Sequence, residues 1–178
     1  ISNNNFLGIF VIEPSRLREN DTDPIHIDWE IQCAVELQSR IRELGGEMLI
    51  LHDEVINVFE KLREEYQISN IYSHEEIGTE WSYRRDIRFG DWCKSKKLNW
   101  KEFPTNAVIR GLKNRDDWYK VRTKRLMEEL VQKPKKLTYT NTRLQLKCIK
   151  FEDLNIKPRN LTEKLEPGEE QAIKILND

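Results

Sequence analysis

The stretch that decides the fold runs from Asn70 to Phe103: NIYSHEEIGTEWSYRRDIRFGDWCKSKKLNWKEF. Asn70–Ser73 (NIYS) reads as a short strand, and Asn99–Phe103 (NWKEF) reads as another, closed by Pro104. Between them lie a loop containing Gly78 and a helix from about Thr79 to Lys97 that carries Trp81, Phe89, Trp92 and Cys93. A helix between two strands, with tight connections, predicts that the strands run parallel, because the chain must cross back over the sheet before pairing again.

Outward from this stretch, towards the amino end, the same alternation continues. Leu7–Ile12 (LGIFVI) is an apolar run stopped by Glu13-Pro14, as expected of a strand buried on both faces. A polar loop from Ser15 to about Ile27 follows, and then a helix over Trp29–Leu44. There Ile31, Ala34, Val35, Ile41 and Leu44 form a stripe, with Asp28 as the expected N-cap. Gly45-Gly46 ends that helix, and Met48–Leu51 (MLIL) is the next strand. Asp53 can cap a further helix whose apolar face is Val55, Val58, Phe59, Leu62 and Tyr66. The fold class expected is α/β: a doubly wound, Rossmann-like, mostly parallel sheet with helices on both faces. Ligands of such sheets sit beyond the carboxyl ends of the strands, here Glu13–Arg16, His52–Glu54, His74–Trp81 and Pro104–Arg110.

Outward in the other direction the pattern weakens. Asp117–Leu130 reads as a charged helix, Gln132–Glu166 as an irregular linker, and Gly168–Leu176 as the opening of a new helix with Pro167 near its first turn. The domain organisation expected is therefore an α/β domain over 1–131, a linker over 132–166 and the start of a second domain over 167–178. A start at Ile1 with no charged and apolar leader, and a helix that opens near the last residue, lead us to expect a piece of a longer chain.

Bulk composition excludes several classes. The mean hydropathy is −0.74, and no apolar run approaches the roughly 20 residues of a membrane helix. The 3 cysteines, Cys33, Cys93 and Cys148, are scattered and odd in number. They form neither a disulfide framework nor a CxxC metal pair, so a reducing cytoplasm is the expected setting and Cys33 and Cys93 the expected buried thiols. Charge is uneven: residues 13–80 hold 17 acidic and 6 basic side chains, and residues 94–136 hold 14 basic and 5 acidic ones. That basic segment reads as a solvated connector or a surface for an acidic partner unless one face displays it to nucleic acid.

No Gly-rich phosphate loop is present, which argues against a stand-alone nucleotide-binding protein, and no GxSxG, HExxH or Walker sequence occurs. His52 and His74 each follow a strand at its carboxyl end and either line a pocket or bond to loop backbone; His26 lies in a polar loop. Glu75-Glu76 is no carboxylate dyad, because neighbours on an extended segment point opposite ways; one faces the pocket and the other solvent. Trp81 and Arg85, a turn apart, can stack and anchor a planar anionic ligand. Alternatively, Trp81 joins Phe89 and Trp92 in the core and Arg85 pairs with Asp86 or a neighbouring loop.

The run Ser73–Asp86 (SHEEIGTEWSYRRD) resembles a stretch of bacterial proteins of the DNA photolyase/cryptochrome family, and so does Glu102–Asp116 (EFPTNAVIRGLKNRD). Phe10–Pro14 (FVIEP) is similar to that family's second strand and Pro167–Glu170 (PGEE) to the start of its flavin-binding domain. The resemblance implies an amino-terminal α/β domain whose first strand, with an Arg- and Asp-containing loop, precedes Ile1. It also implies an accessory chromophore (a folate, a deazaflavin or a flavin-like molecule) that passes excitation energy to FAD in a helical domain of the parent chain. The loop after the third strand shows neither the Asn-Glu pair of folate binders nor the acidic pair of deazaflavin binders in clear register. In photolyases the reduced flavin splits a pyrimidine dimer in DNA; in cryptochromes it serves blue-light signalling, the alternative role. Either way no catalytic residue is expected in this chain. On this resemblance the antenna cleft would be lined by His52, Asp53, Glu54, His74, Glu76, Gly78, Thr79, Trp81 and Arg85. Histidines and carboxylates would bond ring edges, Gly78 would permit close approach and Trp81 would pack on a ring face.

Overall fold

The computed structural model describes residues 5–139, 149–157 and 166–177. Parts of the expected linker, and with them Cys148, lie outside the described residues. The chain forms two compact units, Ile1–Glu65 with Pro134–Asp178, and Tyr66–Lys133.

The first unit holds strand β1 (Gly8–Ile12), helix α1 (Pro24–Glu43), strand β2 (Met48–His52), helix α2 (Val55–Glu65) and helix α5 (Glu169–Asn177). β1 and β2 pair in parallel, Gly8 opposite Met48 through Ile12 opposite His52. The second unit repeats the scheme with strand β3 (Asn70–His74), helix α3 (Glu80–Ser95), strand β4 (Asn99–Phe103) and helix α4 (Trp118–Leu126). β3 pairs with β4 in parallel from Asn70 opposite Asn99 to His74 opposite Phe103. The mixed α/β class with parallel strands is the one expected. Its pairings form two two-stranded sheets, because each strand–helix–strand unit closes its own ladder.

In the first unit Ile12, Ile27, Ile31, Ala34, Met48, Ile50 and Leu154 form the core. Burying each large aliphatic side chain contributes about 1.5–3 kcal/mol. Gln38, buried on α1, donates its amide to the Met48 carbonyl (2.6 Å) and so ties helix to strand. In the second unit Phe89 packs edge-on against Trp100 (5.0 Å between centroids) and stacked on Trp92 (5.5 Å).

Several boundaries differ from the expectation, each for a local reason. α1 begins at Pro24, with Asp23 rather than Asp28 accepting the cap bond from the Ile25 amide. Proline is pre-set for a first helical turn, which moves the start back into the polar loop. Asp28 lies inside the helix and takes the Gln32 amide instead. α4 stops at Leu126, four residues short of the expected end, where Glu128 and Glu129 would oppose the negative end of the helix dipole. Gly45 has φ +82°, the left-handed conformation a helix-ending glycine supplies. Within the expected linker, Phe151–Leu154 forms a 3-10 turn that sends Leu154 into the core, and the Ile149 amide donates to the Ile50 carbonyl (3.0 Å). Among the described residues no helix is long and apolar enough to cross a membrane.

Candidate functional site

The residues singled out in the sequence fall into both units. In the first, the loops after β1 and β2 bond to one another. His52 sets Nδ1 2.9 Å from the Ile12 carbonyl, which accepts from it. Glu54 accepts from the Ser15 amide and the Ser15 hydroxyl, both at 2.8 Å. Asp53 accepts from the Glu54 amide, the Asn57 amide group and the Lys61 ammonium at 2.7–2.9 Å. Burial pushes the Asp53 carboxyl up, but the bonds from Lys61 and Asn57 outweigh it and hold the group below the usual carboxylate range. Asp53 and Glu54 thus spend their oxygens on the protein.

Glu13 was not among the residues expected to line the cleft, yet among the described residues it is the most buried carboxylate, at 3% exposure. Its Oε2 accepts from the Val55 amide (3.0 Å), so an acid from the end of β1 caps α2 across the loop. An acidic residue directly after a buried strand was the available signal.

In the second unit the segment from β3 into α3 is built around turns. Glu76 folds back on itself, its Oε1 accepting from the Ile77 and Gly78 amides (2.9 and 2.8 Å). Thr79 is the N-cap of α3, its hydroxyl accepting from the Ser82 amide and its carbonyl from the Ser82 hydroxyl. His74, Gly78 and Thr79 are exposed. Trp81 is half-buried, with the Arg85 guanidinium 5.7 Å from its ring centre. Arg85 also pairs with Asp86 at 2.8 Å, the second of the two readings of that residue.

Of the pair Glu75-Glu76, it is Glu75 whose carboxylate turns inward. Its Oε2 is buried without a hydrogen-bond partner among the described residues, and the Arg125 guanidinium stands 3.9 Å away. Arg125 is itself held by the carbonyls of Asn106 and Val108. The Thr105 hydroxyl donates to the Glu75 carbonyl (2.9 Å), locking the ends of β3 and β4 together. An unsatisfied buried acceptor costs about 1–3 kcal/mol, so Glu75 is suited to a donor brought by a ligand, such as a ring N–H.

Behind this edge, Arg110 bridges Asp86 (2.8 Å) and Glu102 (2.5 Å). Burial pushes the Asp86 carboxyl above its usual range, against the pull of Arg85 and Arg110. Burial would lower the Arg110 guanidinium, but Glu102 and Asp86 raise it. Cys93, buried, has its thiol pushed up to about 11 by desolvation, so it is an inert core thiol, whereas Cys33 is half-buried. Among the described residues no group of three or more His, Cys, Asp or Glu could hold a metal ion.

A family model described as DNA photolyase matches residues 1–137. Among solved structures the chain is similar to an archaeal photolyase from Sulfolobus tokodaii, at 16% identity and a TM-score of 0.55, over 85% of this chain and 35% of that one. At that identity the likeness is one of fold, and the chain spans about a third of the solved relative. That crystal structure is described as containing two FAD molecules, with the implication of a novel light-harvesting cofactor. The comparison with curated proteins finds no match.

Proposed function

The chain belongs to the DNA photolyase family, and from that premise we propose that it is the family's light-harvesting α/β domain, with a flavin-type antenna held at the carboxyl end of β3. The observation that carries the reading is Glu75, whose inward Oε2 lacks a donor that the ring imide of a flavin would supply. Trp81 offers an aromatic surface, and His74, Gly78 and Thr79 offer exposed polar and backbone groups beside it. Arg85 is committed to Asp86 and serves the site as framework, whereas Asp53 and Glu54 bond within the first unit. A flavin rather than a folate or deazaflavin is favoured because the solved photolyase of the same fold is described with a second FAD as a light-harvesting cofactor.

When bound, the antenna absorbs light and passes its excitation to the catalytic flavin. This chain's residues bind and orient the ring, keep the Glu75 carboxylate facing it, and make or break no bond. FAD, the helical domain that holds it, and DNA are partners of the parent protein, and light-driven repair is its proposed activity. A blue-light signalling role would need the same domain without the antenna.

The test is the absorption spectrum and flavin content of the purified complete protein. Two flavins per chain are expected, and Trp81→Ala should weaken retention of one about tenfold through lost stacking. Unchanged melting temperature would separate lost binding from lost folding. A single flavin per chain, unaffected by Trp81→Ala, refutes the reading.

A further inference from the structure

We propose that the outer face of the β3–β4 ladder is a binding platform for single-stranded nucleic acid, with Tyr72 and Phe103 stacking bases and Lys101 holding a phosphate. Successive side chains of a strand point to opposite faces. Ile71, Ser73, Trp100 and Glu102 therefore share one face of the ladder, and Asn70, Tyr72, His74, Asn99, Lys101 and Phe103 share the other. The first set is settled within the unit. Ile71 is buried, Trp100 packs on Phe89 of α3 and donates its Nε1–H to the Ser73 hydroxyl (3.0 Å), and Glu102 pairs with Arg110. All six residues of the second set are exposed.

The composition of that outer face says what it receives. Parallel strands that helices cover on both sides are near-continuous aliphatic runs, as β1 (GIFVI) and β2 (MLILH) are. β3 (NIYSH) and β4 (NWKEF) alternate instead, and their outer face carries no aliphatic and no acidic side chain. An apolar helix laid on it would strip water from Lys101 and from the two asparagine amides without replacing those bonds. A flexible polyanion with planar rings meets each of these groups with its complement.

Tyr72 and Phe103, 61% and 40% exposed, stand on neighbouring strands with ring centroids 6.1 Å apart and planes tilted by 32°, and both rings reach solvent. Aromatic side chains on adjacent strands of an open sheet stack bases in this way. The Lys101 ammonium lies 4.8 Å from the Phe103 ring centre, which sets a positive charge within reach of the phosphate joined to a base stacked there. Asn99 donates its amide to the Asn70 Oδ1 (2.6 Å), and an amide joined by one bond keeps further donor and acceptor sites for base edges. The wider charge agrees, since residues 94–136, which include β4, hold 14 basic and 5 acidic side chains. Stacking surface and charge thus point to the same class of partner.

Fluorescence anisotropy of a labelled, lesion-free oligo(dT), titrated in the dark with the complete protein, tests the proposal. Tyr72→Ala and Phe103→Ala should each weaken binding about tenfold through lost stacking, and Tyr72→Phe should leave it unchanged. Lys101→Ala should flatten the slope of log affinity against log salt by about 0.7, the share of one phosphate contact to a single strand. The melting temperatures of Tyr72→Ala and Lys101→Ala should stay unchanged, since both side chains are exposed. If Tyr72→Ala melts early, the salt slope of Lys101→Ala decides. Absence of binding, an affinity indifferent to Tyr72→Ala or lowered equally by Tyr72→Phe, or a salt slope that Lys101→Ala leaves alone would each overturn the proposal.

Discussion

Arg110 joins two carboxylates from different elements, and replacing it with methionine exposes what that bridge contributes. The guanidinium spans Asp86 on α3 and Glu102 on β4, and the three side chains are 22%, 9% and 22% exposed. Methionine keeps much of the packing of the alkyl stem and removes the two charge-assisted bonds. Each such bond is worth about 1.5–3 kcal/mol, but Asp86 keeps Arg85 at 2.8 Å, and the partial exposure of Glu102 lets water screen the loss there. Arg110→Met should therefore destabilise the second unit by about 2–3 kcal/mol at neutral pH.

The sign of the pH dependence follows from Asp86. Burial already places its carboxyl above the unfolded value, and Arg110 is one of the groups that pulls it down. In the variant that pull is gone, so the folded-state value rises further. A carboxyl raised in the folded state is stabilising when protonated and loses that contribution as pH rises through its folded value. The deficit of the variant should thus shrink as pH falls below 7, as the folded form takes up a proton that the unfolded form does not yet bind. Urea unfolding followed by tryptophan fluorescence suits the measurement, since Trp92 and Trp100 both contact Phe89 in this unit. With a urea dependence of about 1–3 kcal/mol per molar, the midpoint should fall by about 1–2 M at pH 7. A loss under about 0.5 kcal/mol, below the range for a broken charge-assisted bond, would refute the reasoning. So would a deficit that is equal or larger at the lower pH.

Two further changes probe the first unit. Glu13→Ala should cost about 1–3 kcal/mol by removing a buried carboxylate from the amino end of α2, whereas Glu13→Gln should retain most of the stability; hydrogen exchange at the Val55 amide would localise the effect. Leu154→Ala should cost about 2–3 kcal/mol in a thermal or urea melt because Leu154, 9% exposed, completes the core, and a loss near zero would show that this segment does not pack there.

How much of this was legible in the sequence depended on the range of the forces involved. Asn99–Phe103 was readable to the residue, because a strand between a helix and a proline is set by its neighbours. The helix-ending role of Gly45-Gly46 was readable for the same reason. The start of α1 precedes the expected one although its signal, Asp23-Pro24, is also local; the apolar stripe beginning at Ile31 marks the buried face of the helix and not its first turn. What could not be read were partners chosen across long separations. Glu13 reaches Val55 and Ser15 reaches Glu54 over about forty positions, and Arg110 reaches Asp86 over 24. Leu154 finds its core from a stretch with no period, where only the folded first unit supplies a place for it. The candidate site follows the same division. Adjacent position told us that one of Glu75 and Glu76 points inward. Choosing Glu75 required the Ile77 and Gly78 amides to claim Glu76 and the Thr105 hydroxyl to fix the Glu75 backbone. A carboxylate is assigned to ligand or framework by which donors reach it first, and those donors come from the fold.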